Sequence, residues 1–255
     1  MKEKQVTFNI DFKLIALVIG ITFLFQSFSY SSVTFDLEGG GLFSGYNDVS
    51  IPGDSGTRFS LTEDLSTSPY LYYRIKTGYS FLDRHNIVLL LAPLKIKADG
   101  TLNKSIRFMD KTFPANSPLN AEYKFNSYRL SYRYDFIQSE GWDVGVGITG
   151  KVRDAYISIS DGNSVRKYTD LGFVPLINFR IHKMLNNSFS LLFEGDALIS
   201  PYGRAEDVLF AFQYHLNRSL LFKTGYRILE GGADNDKVYT FALFHYIVAG
   251  VGIEF

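Results

Sequence analysis

The sequence predicts an all-β chain, an antiparallel transmembrane β-barrel of about ten strands preceded by a cleaved leader. Three observations predict it. First, residues 246–255 alternate: Ile247, Ala249, Val251, Ile253 and Phe255 share one face of a strand, and Val248, Gly250, Gly252 and Glu254 share the other. A strand that is apolar on one side and small or polar on the other suits lipid outside and a wet or packed lumen inside. Second, the chain holds 23 Phe and 17 Tyr against one Trp, a load that membrane barrels place in interfacial girdles. Third, beyond the N-terminal region no apolar run approaches the roughly 20 residues a spanning helix needs.

The N-terminal region reads as a secretory signal peptide. Lys2, Lys4 and Lys13 precede an apolar run from Leu14 to Phe25, and small residues follow in Ser27, Ser29, Ser31 and Ser32. Charged, apolar, then small is the order of an export signal. The expected organisation is a signal peptide over 1–31, cut after Ser29 or Ser31, and one barrel domain over 32–255; an uncleaved anchor helix is the alternative. Cysteine is absent, so there is no disulfide framework or thiolate metal site. With 26 basic and 26 acidic residues, formal net charge is zero and nothing points to nucleic acid.

Ten strands follow from alternation and turn residues. The first covers about 33–43, with Val33, Phe35 and Leu37 opposite Thr34, Asp36 and Glu38. After a loop over 44–66, the second (68–81) sets Leu71, Tyr73 and Ile75 against Tyr72, Arg74 and Lys76. The turn at 83–86 opens the third (87–98), in which Leu94 and Ile96 oppose Lys95 and Lys97. A second long loop runs over 99–119. The fourth (122–137) alternates Tyr128, Leu130, Tyr132, Tyr134 and Phe136 with Arg129, Arg133 and Asp135. The fifth (142–159) slips phase at Asp154–Ala155, which suggests a bulge. The others cover about 165–183, 189–199, 208–215, 220–229 and 238–255. Connections after strands two, four, six and eight are short, those after one and three long and those after seven and nine intermediate, the arrangement of a barrel with both termini on one rim. Eight or twelve strands fit the same turns. Pro93 and Pro175 fall inside predicted strands, where each removes a ladder donor.

Several motifs have a plain reading beside a chemical one. Gly145, Gly147 and Gly150 match a dinucleotide fingerprint, but period-two alternation runs through them and no helix pattern follows; small residues beside bulky lumen neighbours explain them. His85, His182, His215 and His245 read as girdle or packing residues. A hydrolase needs a His paired with Ser or Asp, and His245 alone is well placed for one. Asp234-Asn235-Asp236 offers oxygens to calcium but is also ordinary hairpin chemistry. No cofactor, metal or catalytic residue is expected.

The strongest constellation is the set of inward charges. Parity points Asp36, Glu38, Arg74, Lys76, Lys95, Lys97, Arg129, Arg133, Asp135, Asp143, Lys151, Arg153, Glu194, Asp196, Lys223 and Arg227 into the lumen. In a barrel of this size side chains fill the interior, and buried charges need partners. The set either neutralises itself and plugs the lumen or lines a narrow polar pore. An excess of basic residues inside calls for water or an anion.

The segments Leu229–Tyr246, Asp48–Phe59 and Tyr123–Arg133 resemble those of an uncharacterised family of bacterial outer-membrane β-barrel proteins, over most of the chain. The resemblance implies a small porin-like barrel in the outer membrane of a Gram-negative bacterium and carries no assigned activity. A terminal Phe255 resembles the signal that hands such barrels to their assembly machinery. The chain is similar in no motif to omptin proteases, outer-membrane phospholipases or lipid A deacylases. Outer-membrane lipid, lipopolysaccharide and the assembly machinery are the expected partners, for a monomer. The leading functional expectation is a structural or surface-interaction barrel that contacts partners through loops 44–66 and 99–119. A narrow channel for small polar solutes and a membrane-embedded hydrolase are the alternatives.

Overall fold

The computed structural model describes residues 31–255 except Tyr202. The expected leader lies outside the described residues apart from Ser31, which pairs with Phe81. The barrel strands are β1 Ser31–Ser50, β2 Tyr70–Phe81, β3 His85–Ala92 continued as Lys95–Thr101, β4 Pro118–Ser139, β5 Trp142–Ser160, β6 Val165–Met184, β7 Phe189–Ser200, β8 Gly203–His215, β9 Leu220–Asn235 and β10 Val238–Glu254. Each pairs antiparallel with its neighbours in sequence, and β1 pairs with β10, so the sheet of ten strands closes on itself without an end. The backbone groups of Val33 and Phe255 exchange hydrogen bonds of 3.1 and 2.9 Å at the foot of that seam. Turns at 82–84, 140–141, 185–188 and 216–219 share the rim with Phe255, the periplasmic side in barrels of this type.

The strands are longer than the membrane is thick, and their polarity reverses partway up. On β4 the outward Tyr128, Leu130, Tyr132, Tyr134 and Phe136 are 36 to 55 % exposed, while Arg129, Ser131, Arg133 and Asp135 between them are buried. Above Ser127 the faces exchange character: Asn120, Glu122 and Lys124 point out, and Leu119, Ala121 and Tyr123 are buried inside. β5 does the same, with Val146, Ile148 and Val152 outward below and Ile157 and Ile159 inward above. The lower wall is built for lipid outside; the upper wall has the apolar-in, polar-out pattern of a sheet in water.

This reversal corrects two sequence-based expectations. The phase slip at Asp154–Ala155 is no bulge, since the ladder runs regularly through Asp154↔Asn126 and Ala155↔Phe125. The irregularity lies at Val144/Gly145, where Phe136 is left unopposed. Lys95 and Lys97 do not enter the lumen. They sit above the reversal, where polar residues face out, and Lys95 pairs there with Glu122 at 2.6 Å.

Both strand prolines stand where pairing stops. The β2–β3 ladder ends at Ile75↔Leu91, so the missing N–H of Pro93 faces no strand on that side. The next amide, of Leu94, donates to Asn126 Oδ1 at 3.2 Å. Higher up, the Tyr70 hydroxyl bridges the gap by accepting from the Lys97 N–H at 2.6 Å and donating to its carbonyl at 2.8 Å. The β6–β7 ladder starts only at Ile177↔Ala197, which leaves Pro175 on an edge, where proline is tolerated.

The long loops fold over the mouth. Phe59 and Leu61 from the first, and Ile106, Phe108 and Phe113 from the second, are buried in one cluster with Ile157, Ile159 and Phe244 of the wall. Each such side chain contributes roughly 1.5–3 kcal/mol on burial, so the loops act as a lid. Two ion pairs tether the second loop to the β5–β6 turn, Lys111 to Asp161 at 2.9 Å and Arg166 to Asp110 at 2.7 Å. The Lys111 ammonium, with help from the Ser164 amide, holds the Asp161 carboxyl well below its ordinary value of 3.8. A lowered carboxylate stabilises above its unfolded value and loses that contribution as pH falls through the folded one. The tether is therefore intact at neutral pH and weakens only on acidification below about pH 4. Asp161→Asn is expected to speed tryptic cleavage at Lys104, Arg107 and Lys111 severalfold at neutral pH while leaving barrel stability unchanged.

The candidate functional site: a charged lumen layer and the cavity above it

Inward residues of the lower wall meet at mid-lumen. Glycines make the room: a Cβ at Gly145 or Gly147 would collide with Asp135 or with the Tyr132 backbone. These positions of the dinucleotide-like motif are strand glycines that give the Arg133 and Asp135 side chains space.

Asp207 on β8 is the hub. Its carboxylate accepts from Arg227 at 2.6 Å, from Arg129 at 2.6 Å and from Arg74 at 2.8 Å. Arg74 and Arg129 come from β2 and β4, across the barrel from β8, so the cluster spans the lumen. Glu38 accepts from Arg227 and Lys223, each at 2.8 Å, and Lys223 also reaches Asp36 at 2.7 Å. Asp196 accepts from Arg129 at 2.7 Å, Thr149 at 2.6 Å and Asn178 at 2.8 Å. Nearer the periplasmic rim, Lys76 pairs with Glu194 at 2.5 Å and Arg133 with Asp135 at 2.7 Å. Charges so buried are tolerable only when hydrogen-bonded on most sides, and this layer meets that condition nearly throughout. Tyr72 and Tyr246, edge to face with ring centroids 4.7 Å apart, are also buried in the lumen.

Of the charges expected in the lumen, Asp36, Glu38, Arg74, Lys76, Arg129, Arg133, Asp135, Glu194, Asp196, Lys223 and Arg227 gather in this layer or just below it. Asp143 lies at the periplasmic rim, bonded to His182 at 3.0 Å. Arg153 and Lys151 stand above, on the wall of a cavity of about 380 Å³. Arg153 pairs with Asp170, and Lys151 lies over the Phe125 ring at 4.8 Å. A second space of about 110 Å³ lies around the layer on the side of Ser80, Asn86 and Arg180. Asp207 lies one residue before the predicted start of strand eight at Val208; it shares the parity of Leu209, Ala211 and Gln213, so the alternation extended by one residue includes it.

Each histidine has an identifiable partner, and His182 pairs with Asp143 near the periplasmic rim. His245 faces outward, bonded to the Tyr226 hydroxyl and stacked on Phe43. His85 meets Tyr132 at 2.8 Å on the rim. His215 Nε2 lies 2.8 Å from Ser190 Oγ, a Ser–His contact that sequence spacing did not reveal, but Ser190 is 0 % exposed and out of reach of a substrate. At the Asp234–Asp236 hairpin, Asn235 Oδ1 accepts from the amides of Lys237 and Val238, which is turn chemistry.

No family model matches the chain, and no curated protein matches it. Solved structures do. The outer membrane protease OmpT of Escherichia coli superposes with a TM-score of 0.57 at 10 % identity, over 90 % of this chain and 98 % of that one. The translocator domain of the autotransporter NalP from Neisseria meningitidis gives 0.41 at 12 % identity, covering 96 % and 95 %. Ail, the attachment invasion locus protein of Yersinia pestis, gives 0.37 at 8 % identity, covering 89 % and 100 %. At 10 % identity the OmpT likeness is one of fold: a barrel of the outer-membrane type.

Proposed function

We propose that the chain is a non-conducting outer-membrane barrel of structural or surface-interaction type, without a catalytic site, that works through its extracellular half. One observation carries this reading: the Glu38, Arg74, Arg129, Asp196, Asp207 and Arg227 layer spans the lumen with its charges paired, beneath a lid that buries Phe59, Phe108 and Phe113. A hydrated path through such a layer has to break several charge-assisted bonds at once. The outward, girdle-like setting of His85 and His245 and the burial of Ser190 beside His215 favour a barrel without catalysis. Outer-membrane lipid and lipopolysaccharide fit the apolar belt, and the exposed Phe255 fits recognition by the assembly machinery.

A narrow channel is the second reading, favoured by the spaces of about 380 and 110 Å³. Single-channel recording of the refolded barrel in a planar bilayer separates the two. The expected record is silent, from protein shown to be inserted by its resistance to protease. Discrete current steps would overturn the proposal and establish the channel.

A further inference from the structure

Among the described residues two inward cations near the charge layer form no ion pair, Arg180 beside the lower space of about 110 Å³ and Lys151 on the opposite, upper side. Lys151 is 2 % exposed and lies directly opposite Arg129 in the β4–β5 ladder, a like-charge pair on one inward face. The carboxylates nearest that level, Asp196 and Asp207, are already bonded to Arg129. Among the described residues Lys151 forms no ion pair, and its contact is the Phe125 ring. One step up the same face, Arg153 gives Nη2 to Asp170 while its buried Nε has no partner. Both side chains line the cavity of about 380 Å³, whose other walls include Phe125, Tyr168, Leu198 and Phe244. That volume lies in the range of small-molecule sites.

The wall beside the cavity has a gap in its strand pairing. Residues 165–176 of β6 pair with β5, but β7 turns back at Ser200 and joins β6 only from Ile177↔Ala197 downward. Leu171, Phe173 and Ile199 flank the slot on the outside and are 76, 70 and 75 % exposed; Phe173, opposite Val152, stands at the top of the lipid-facing belt, and Leu171, opposite Asp154, just above it. An open strand edge is not tolerated against hydrocarbon unless it is covered or lines a cavity.

We propose that this cavity binds an anionic amphiphile that enters sideways from the outer leaflet, its chain passing between β6 and β7 and its acidic head resting on Lys151 and Arg153. The chemistry is an acyl chain ending in a carboxylate or a phosphate; a free fatty acid and a phosphorylated lipid both supply it. The proposal does not depend on whether the lumen conducts.

The test is equilibrium binding to the refolded barrel in zwitterionic phosphatidylcholine nanodiscs, with laurate, dodecyl phosphate and the neutral dodecanol as probes. The two anions are expected to bind at one site about tenfold or more tighter than dodecanol, as charge-assisted bonds to a buried cation require. The tighter of the two identifies carboxylate or phosphate as the natural head. Lys151→Met should remove that preference and leave dodecanol binding unchanged. This variant relieves the repulsion with Arg129, so it is expected to fold at least as stably as the parent. Equal binding of laurate and dodecanol, or anion binding unaffected by Lys151→Met, would overturn the site. Side entry is tested by bridging Phe173→Cys and Ile199→Cys with a bis-maleimide. A marked fall in the laurate association rate is expected, and an unchanged rate would overturn entry through the slot.

Discussion

Replacing Asp207 by Asn is expected to cost the barrel about 3–5 kcal/mol, the penalty for breaking a buried ion pair by removing one partner. The carboxylate serves Arg74, Arg129 and Arg227 together. The amide is close to it in size, so packing is preserved, but it brings a donor to a place where three donors already converge. Arg129 keeps Asp196 and Arg227 keeps Glu38, whereas Arg74 retains only the longer contact to Glu38, at 3.9 Å. Adding Arg74→Gln should therefore recover part of the loss, a non-additivity that a double-mutant cycle reads directly. Urea unfolding followed by the fluorescence of Trp142 measures both variants. A loss below about 1 kcal/mol, ordinary for a point substitution, would mean that water already supports the arginines and that the layer is wetter than its hydrogen bonds imply.

Gly40→Ala is expected to impair closure of the barrel. Gly40 pairs with Val248 in the seam between first and last strands. Its φ is +149°, and a Cβ there would run into the Ile247 carbonyl. Backbone strain of this kind costs of order 1–3 kcal/mol, and a clash with rigid backbone adds about as much. The cost falls on the one ladder that joins the two ends of the sheet, formed between the residues most distant in sequence. The expected result is a reduced fraction of compact, heat-modifiable barrel on refolding. Gly41→Ala is the control, since a Cβ there meets nothing. Equal behaviour of the two variants would show that the seam adjusts freely.

The lower wall was legible in the sequence because each residue there answers to two environments that differ sharply. Tyr128 to Phe136 alternate with Arg129, Arg133 and Asp135, and that contrast predicts both strand and face. Inward parity likewise placed Glu38, Arg74 and Arg227. The same rule failed for Lys95 and Lys97, because parity assigns charges to the lumen only while lipid lies outside. The phase change at Asp154–Ala155, ahead of Ile157 and Ile159, imitates a bulge for the same reason. The slot beside Pro175 was not legible at all. It depends on the stagger of β6 against β7 and on where β7 turns back, and neither leaves a mark in the alternation of either strand. The lid was hidden too, since Phe59, Phe108 and Phe113 lie among turn residues with no period.

The reversal of polarity along the strands also fixes how deep the protein sits. The apolar belt ends on β4 at Tyr128 and on β5 at Val152; the next outward residues are Asn126 and Asp154, then Lys124 and Tyr156. Drawing the wall further in would bring Asp154, Lys124 and Glu122 into the edge of the hydrocarbon, at up to about 1 kcal/mol for each charge there and more with depth. Mismatch with a thicker membrane must therefore be absorbed by the lipid, which thins around the wall, at fractions of a kcal/mol per Å. The barrel is a float with a painted waterline: its height above the surface, and with it the presentation of the lid, is written into the residues where inside and outside trade places.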